Sequence, residues 1–531
     1  MTSDYLQSKW FTRITYTFLI VCIISLAVAE YAYPLRNSVP PGVDASIYIN
    51  DVRWITNNNV LPHPYQTVTH GSAAYPSPGT DILLSALTFI SKQPIQFSVF
   101  NWYQETLIVL LFLTSYLVGT MFNKRVAIFY VISLLASYSI TRLYIGSTVS
   151  NLMAFSIVNI IVYLTYKASL IRRKLALIIC LIMLFFTLFL VHGYLTAPLF
   201  VPVFVIYLAL LYSIKPEFRN YVRLKIINSG AITKIVAVIT FVALGIFLVT
   251  LARQLVSEAV TAFTNGIADN KFQNIILFSQ YGDYVGRTLW VFSLLGIGAY
   301  MLSFKKNVLS YRVLPFLWVL VLWGLMQMYH LGVNFYYERL ILLAGIFLAL
   351  FAAIFFDWLL RNSRIPSFFV RSLLATSVVI VFITAGTGRV VSLFSSSNLL
   401  KSDQLTALRL LGTYIKPGEV VISNVNGISQ TAHDVIVSNA DITYSHTQNK
   451  LCAPPDNQCQ AFTSPGNSTS ALYFKEHDIQ YFLLMLPSVE GNSNAVILAK
   501  KYLEAGYKTL ATGKDVWLFT LPTWVTSVNR S

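Results

Sequence analysis

The stretch PPGVDASIYINDVRWI, Pro40 to Ile55, decides how this chain is read. It follows an apolar run at 12–33 and carries two carboxylates, Asp44 and Asp51, and one guanidinium, Arg53. Pro-Pro-Gly is a turn that fixes backbone direction just ahead of Asp44. The residues after it have a helical pattern, with Ile47, Trp54 and Ile55 on one face and Tyr48 and Asp51 on another. Asp44 and Asp51 are seven residues apart, so on one continuous helix they share a face. What two acids do beside a span depends on which side of the membrane they stand.

The composition is that of a membrane protein. Of 531 residues, 56% are hydrophobic and only 11% are charged. Eleven apolar runs lie near 12–33, 98–121, 126–145, 149–167, 175–191, 194–213, 232–252, 284–303, 312–329, 340–360 and 367–387. Each approaches the roughly 20 residues that cross about 30 Å of hydrocarbon. The first is long and no small-residue cleavage site follows it, so it reads as a span and not as a removed leader.

Cytoplasmic loops collect Lys and Arg. With the N-terminus inside, the inner segments hold nineteen basic residues against three acids, and the outer loops and span ends hold eight against nine. The tail from 388 holds eleven against ten. The whole excess of +16 therefore stands on one side as an orientation signal, which removes a nucleic-acid partner as the reason for it. The expected location is an integral membrane protein of the cell or plasma membrane, N-terminus cytoplasmic and C-terminal domain extracytoplasmic. The segment TDILLSALTFISK, 80–92, is too short to cross and reads as a helix in the membrane interface.

The expected fold is mainly α: a polytopic bundle of about eleven spans over 1–387, with a long first outer loop at 34–97, then an α/β domain at 388–531. In the tail, SDQLTALRLLGTYIKPGE predicts a helix capped by Ser402, with Leu405, Leu408 and Leu411 along a face. Strands are expected at 419–423, 480–485 and 515–521 and a further helix at 494–507, an alternation that suits a mainly buried sheet. Cys22 and Cys180 lie in apolar runs as packing residues. Cys452 and Cys459 lie in the outer tail, where an oxidising compartment favours a disulfide and no second ligand pair supports zinc. Asn467 begins an Asn-Ser-Thr glycosylation sequon on the same side.

The acid-plus-helix element GVDASIYINDVRWI and the turn YPSPGTD from Tyr75 resemble the C-type glycosyltransferase superfamily (GT-C), membrane enzymes dependent on polyprenyl- or dolichyl-phosphate sugars. The chain order agrees with it: an inner N-terminus, one span, a long outer loop, a bundle, and an outer C-terminal domain. Two positions depart from the family pattern. Tyr48 stands where several prokaryotic relatives have His four residues after the acid, and Asp81 stands where they have His after the Pro-Gly turn. The resemblance implies transfer of a hexosyl or pentosyl group from a polyprenyl-phosphate donor to an extracytoplasmic glycan, lipid or glycoprotein acceptor, with inversion. Membrane lipids and the lipid-linked sugar are then the partners. Some members use a divalent cation such as Mg or Mn, and the sequence leaves the metal open; His63 and His70 lack ligand spacing.

Such a transfer needs a base for the acceptor hydroxyl and cations for the leaving phosphate. Asp44 is the first candidate base. Asp51 is the second, its other reading being an ion pair with Arg53. Arg339 and Arg287 are candidate phosphate ligands at outer span ends, or snorkelling anchors; Tyr336 and Tyr337 flank Arg339. Glu338 stands beside Arg339, and Asp283 either meets sugar hydroxyls or pairs with Arg287. His192 lies between two spans at the outer face, as a site residue or a polar contact. Three other functions fit less of the chain: an envelope polysaccharide polymerase or ligase, a non-catalytic relative that binds lipid or assembles a surface structure, and a transporter. The polymerase would place its large loop late, and the transporter would keep charges at mid-membrane.

Overall fold

The computed structural model describes, with short gaps, residues 79–93, 99–214, 276–302, 312–331, 337–362, 402–423, 442–444 and 461–526, and parts of 45–56 and 372–380. The expected spans at 12–33 and 232–252, most of that at 367–387, and Cys22 lie outside these residues. So do Asp44, Arg53, Cys452 and Cys459.

The bundle is built from α1 (Gly79–Ser91), α2 (Phe100–Thr120), α3 (Lys124–Leu135), α4 (Tyr138–Ile145), α5 (Val149–Ala168), α6 (Lys174–His192), α7 (Thr196–Ile214), α8 (Tyr281–Val285), α9 (Arg287–Leu302), α10 (Leu314–Met326) and α11 (Tyr337–Asn362). Among the described residues, segments of α2, α5, α7 and α11 are long and apolar enough to cross a membrane. The helical segment Phe278–Val285 and α9 make a fifth if their bent pair is counted as one span. α11 is the central post, with nearly all of its apolar stretch buried against α3, α9 and α10. α6 shows the opposite arrangement. Ile179, Ile182, Met183 and Phe186 are each more than half exposed along one face, while Leu188 and Val191 are buried. A stripe of that kind is stable only where the surrounding solvent is itself apolar.

Two expected spans differ in detail. The run at 126–145 is two helices, α3 and α4. The chain breaks at Ala136 and Ser137, whose N–H groups turn back to the carbonyls of Ile132 and Leu134. The run at 284–303 is α9 preceded by a 112° bend from α8. Gly286 makes that bend at φ +107°, a conformation costly for any residue with a Cβ. Cys180, expected to pack inside, is exposed on the lipid-facing side of α6.

The start of α3 and the end of α11 are tied by polar contacts. Asn123 caps α3, its side chain accepting from the N–H of Arg125 and Val126 at 2.8 and 3.0 Å. Its amide donates to Asp357 at 2.9 Å, and Arg361 reaches the same carboxylate oxygen at 3.0 Å.

The tail forms a three-layer α/β unit. Its sheet has strand order β2-β1-β3-β5-β4, with β1 (Val420–Ser423), β2 (Ile442–Tyr444) and β3 (Ile479–Met485) parallel. β5 (Val516–Thr520) runs antiparallel to both β3 and β4 (Lys508–Thr512). Successive strand residues point to opposite faces. Val421, Leu483, Met485 and Leu518 meet α12 (Ser402–Tyr414) through Leu408 and Leu411. Ile422, Phe482, Leu484 and Phe519 meet a mostly aromatic layer from Phe462, Phe474 of α13 (Ser468–Glu476), and Tyr502 of α14 (Ser493–Glu504). Ser402 is the first helical residue of α12 and not a residue ahead of it.

Candidate functional site

The site begins with α1, the helix expected in the interface. Its 13 residues span about 20 Å, short of a membrane crossing. Its amphipathicity is inverted relative to a soluble helix. Thr80, Asp81 and Ser85 face inward with Leu84, while Ile82, Leu83, Phe89 and Ile90 are exposed. An apolar outer face and a polar inner face suit a helix with lipid on one side and a polar chamber on the other. Gly79, the glycine of the YPSPG turn, is required by close approach: a Cβ there would lie 2.8 Å from the carbonyl oxygen of Leu190 on α6.

α1 presents Asp81, 3% exposed, to the helical residues within 45–56, which supply Asp51, 9% exposed. Ala45, Tyr48, Ile49, Asp51 and Val52 are helical and buried against the bundle. Burial disfavours the charged form. It pushes the Asp51 carboxyl up to about 6. Asp81 is raised well above the usual carboxylate range by burial and then by the charge of Asp51 beside it. The sequence allowed Asp51 a solvated ion pair; the structure buries it next to a second acid. α2 adds buried Asn101 and Gln104, and Tyr103 stands within reach of the Asp81 charge. Among the described residues, Thr80 Oγ1, Asp81 Oδ1 and Ser85 Oγ are buried without a hydrogen-bond partner. Buried polar atoms are nearly always paired, so a cluster of three marks a place where solvent or ligand oxygen completes the bonding.

Tyr48, expected as a site residue, docks the loop: its phenol lies 2.7 Å from the Ser150 hydroxyl at the start of α5. His192 ends α6 fully buried. Its Nδ1 accepts the Thr196 backbone N–H at 3.1 Å and meets the Thr196 hydroxyl at 2.5 Å, which leaves the ring proton of the neutral form on Nε2. Arg339, half-buried at the start of α11, acts on His192 electrostatically. Asp283 pairs with Arg287, Nε to Oδ1 at 2.8 Å, both well exposed. Glu338 is helical, and its side chain lies outside the described residues, as does Asp44.

These contacts close a circuit. Asp51 meets Asp81 on α1; α1 packs on α6; the end of α6 meets Arg339 of α11; α11 packs on α8 and α4; α4 leads into α5; and Ser150 of α5 returns to Tyr48, three residues before Asp51. The circuit joins the segments that carry Asp51 and Asp81 to the one that carries Arg339. Among the described residues, no three His, Cys, Asp or Glu side chains stand together as metal ligands. Ser150 and Thr196 were not singled out in the sequence, because an isolated hydroxyl in an apolar run carries no signal of its partner.

No protein-family model matches the sequence, and no curated protein sequence matches it. Solved structures do match its fold. The apo oligosaccharyltransferase of Archaeoglobus fulgidus aligns with TM-score 0.62 at 12% identity, covering 95% of this chain and 74% of that one. The archaeal oligosaccharyltransferase AglB from the same organism, in complex with an inhibitory peptide and a dolichol-phosphate, aligns with TM-score 0.56 at 14% identity, over 97% and 75%. Apo ArnT from Cupriavidus metallidurans aligns with TM-score 0.55 at 10% identity, over 96% and 99%; that enzyme has also been solved bound to undecaprenyl phosphate. A further structure of the Archaeoglobus enzyme is described as a complex with Zn and sulfate. At these identities the likeness is one of fold.

Proposed function

We propose, from the premise that this chain has the fold of the C-type membrane glycosyltransferases, that it transfers a sugar from a polyprenyl-phosphate donor to an extracytoplasmic acceptor. The observation that carries the reading is the first outer loop, seated on the bundle through Tyr48 and Ser150 and bearing an acid buried beside Asp81. A solvated connecting loop has no reason to bury two carboxylates and leave Asp81 Oδ1 unbonded. Dolichol-phosphate and undecaprenyl phosphate bound by proteins of this fold support a lipid phosphate as the leaving group.

In this reaction the acceptor oxygen attacks the anomeric carbon, its proton passes to a carboxylate, and the bond from that carbon to the phosphate oxygen breaks. Direct displacement inverts the centre. Asp44 is the assigned base; in the sequence it directly precedes the buried Ala45. Asp51 is the alternative, since a carboxyl near 6 is poised to accept a proton at neutral pH. Arg339 and Arg287 neutralise the departing phosphate, and Asp283 holds Arg287 in place. The boundaries 1–387 and 388–531, the outer placement of the α/β domain and its role in covering the acceptor belong to the same proposal.

The test is purified protein in lipid given polyprenyl-phosphate sugars and candidate acceptors. Release of free polyprenyl phosphate supports transfer. Solute flux across the bilayer with no release contradicts it.

A further inference from the structure

Several helical hydroxyls of this protein bond back to the carbonyl one turn earlier. Thr88 of α1 donates to Leu84 at 2.8 Å and Thr106 of α2 to Trp102 at 2.8 Å. Ser156 and Thr165 of α5 donate to Leu152 and Ile161 at 3.0 and 2.7 Å. Ser85 of α1 has the same spacing to the Asp81 carbonyl and makes no such bond; its Oγ is buried without a hydrogen-bond partner. Thr80 Oγ1 and Asp81 Oδ1 are left in the same state. At about 100° per residue, Thr80, Leu84, Asp81 and Ser85 fall within an arc of about 140°. That arc is the buried face of α1. Three unbonded oxygens therefore share one face within the first two turns of one helix.

The surroundings hold that face in place. Tyr103 of α2 stands within reach of the Asp81 charge, yet its phenol donates to Met153 Sδ at 3.2 Å and so does not complete the acid. Asp51 adds a second carboxyl beside Asp81. The start of α1 lies directly on the backbone of Leu190, and the opposite face of the helix carries exposed Ile82, Leu83, Phe89 and Ile90. Turning the helix to wet its polar groups would trade that apolar face inward and set Asp81 against lipid.

Hydroxyls both donate and accept, and a carboxyl that burial keeps protonated does the same. The complementary ligand offers donors and acceptors on adjacent atoms and adds no negative charge beside two acids. Neighbouring hydroxyls of a sugar ring have this character. We propose that Thr80, Asp81 and Ser85 form a subsite that binds ring hydroxyls of a sugar substrate and so positions it beside Asp51. The inference rests on the transferase reading above. The sugar is either the group carried on the lipid phosphate or a residue of the acceptor; the chemistry is shared, and the test separates the two.

The test uses Thr80→Val and Ser85→Ala in the full-length protein in nanodiscs. Each removes one buried hydroxyl that has no partner within the protein, so thermal unfolding without ligand should be unchanged or shifted upward. Sugar recognition should move the other way. Binding is compared between undecaprenyl phosphate and a panel of undecaprenyl-phosphate hexoses and pentoses, and KM is measured for candidate acceptors. One lost hydrogen bond predicts an affinity roughly three- to tenfold weaker in each variant. A loss confined to the sugar-bearing lipid, with undecaprenyl phosphate unchanged, assigns the subsite to the donor sugar. A rise confined to the acceptor KM assigns it to the acceptor. Variants that match wild type in both overturn the subsite and leave the three oxygens to water. Equal losses for bare and sugar-bearing lipid, with the acceptor KM unchanged, overturn it by making the effect one of packing. A wild-type preference for the sugar-bearing lipid that a chelator abolishes overturns it by handing the face to a metal ion. A wild-type protein that binds no polyprenyl phosphate and releases none overturns the transferase reading and this inference together.

Discussion

The phenol of Tyr48 and the hydroxyl of Ser150 lie 2.7 Å apart, though 102 residues separate them in the chain. The contact joins the segment 45–56 to the start of α5. Tyr48 also packs on Phe100, with ring centroids 6.2 Å apart. Tyr48→Phe keeps the ring and removes the hydrogen bond, leaving a buried Ser150 hydroxyl short of a partner. The expected cost is about 1–3 kcal/mol. It should be read as faster amide exchange over 45–56 with little change in the α/β domain.

Asp51 makes stability depend on pH. Its carboxyl sits at about 6 in the folded protein against 3.8 for an ordinary aspartate, because of burial. Between these values the folded protein still holds the proton that the unfolded chain has released. Stability therefore falls as pH rises through that window, and the penalty is complete above it. Asp81 acts in the same direction. Asp51→Asn should stabilise the protein relative to wild type at pH 7 and much less at pH 4. Each pH unit between the two titrations is worth about 1.4 kcal/mol, so the difference is on the order of 1–3 kcal/mol. Thermal unfolding of both proteins across pH 4–7 checks this; a gap that does not grow with pH contradicts it.

The orientation can be read by thiol labelling in intact cells. Glu504 is exposed on α14, so Glu504→Cys should react with an impermeant reagent without lysis. Ser470 is buried, with its hydroxyl donating to the Ser464 carbonyl at 2.8 Å. Ser470→Cys should therefore react slowly even when its side of the membrane is accessible. Protection of both until lysis would invert the topology and move Asp44 to the cytoplasm.

Cys452 and Cys459 bracket the short segment CAPPDNQC. In an oxidising compartment the pair should resist alkylation until reduced. Mass spectrometry of alkylated peptides with and without reductant distinguishes bridge from thiols. Because the loop is short, loss of the bridge should have a modest effect on stability.

Much of the architecture was legible because long apolar runs report a membrane directly. What stayed hidden was every feature that leaves composition unchanged. The break at Ala136 and Ser137 and the bend at Gly286 both sit within apolar sequence. β2 and β4 have only three and five residues, and β4 is partly exposed, so neither stands out by alternation. The YPSPG turn was visible, but the reason for its glycine is a carbonyl on α6. The site divides in the same way. Asp51 and Asp81 were each visible as acids, but their proximity joins segments thirty residues apart and was not. Thr80 and Ser85 stand close to Asp81 in the sequence; that their hydroxyls are buried and unbonded shows only in the fold.

The central claim is that a carboxylate of the first outer loop takes the acceptor proton during transfer from a lipid-phosphate sugar. Single-turnover release of polyprenyl phosphate by Asp44→Asn, beside wild type and Asp51→Asn, tests it most directly. Asp44→Asn should fold, bind donor with near wild-type affinity, and turn over more slowly by roughly 10²–10⁴-fold, the usual worth of a general base. A large loss at Asp51→Asn with none at Asp44→Asn would move the base along the helix and keep the reaction. A folded Asp44→Asn protein that releases polyprenyl phosphate at the wild-type rate, with Asp51→Asn equally unaffected, would contradict the account.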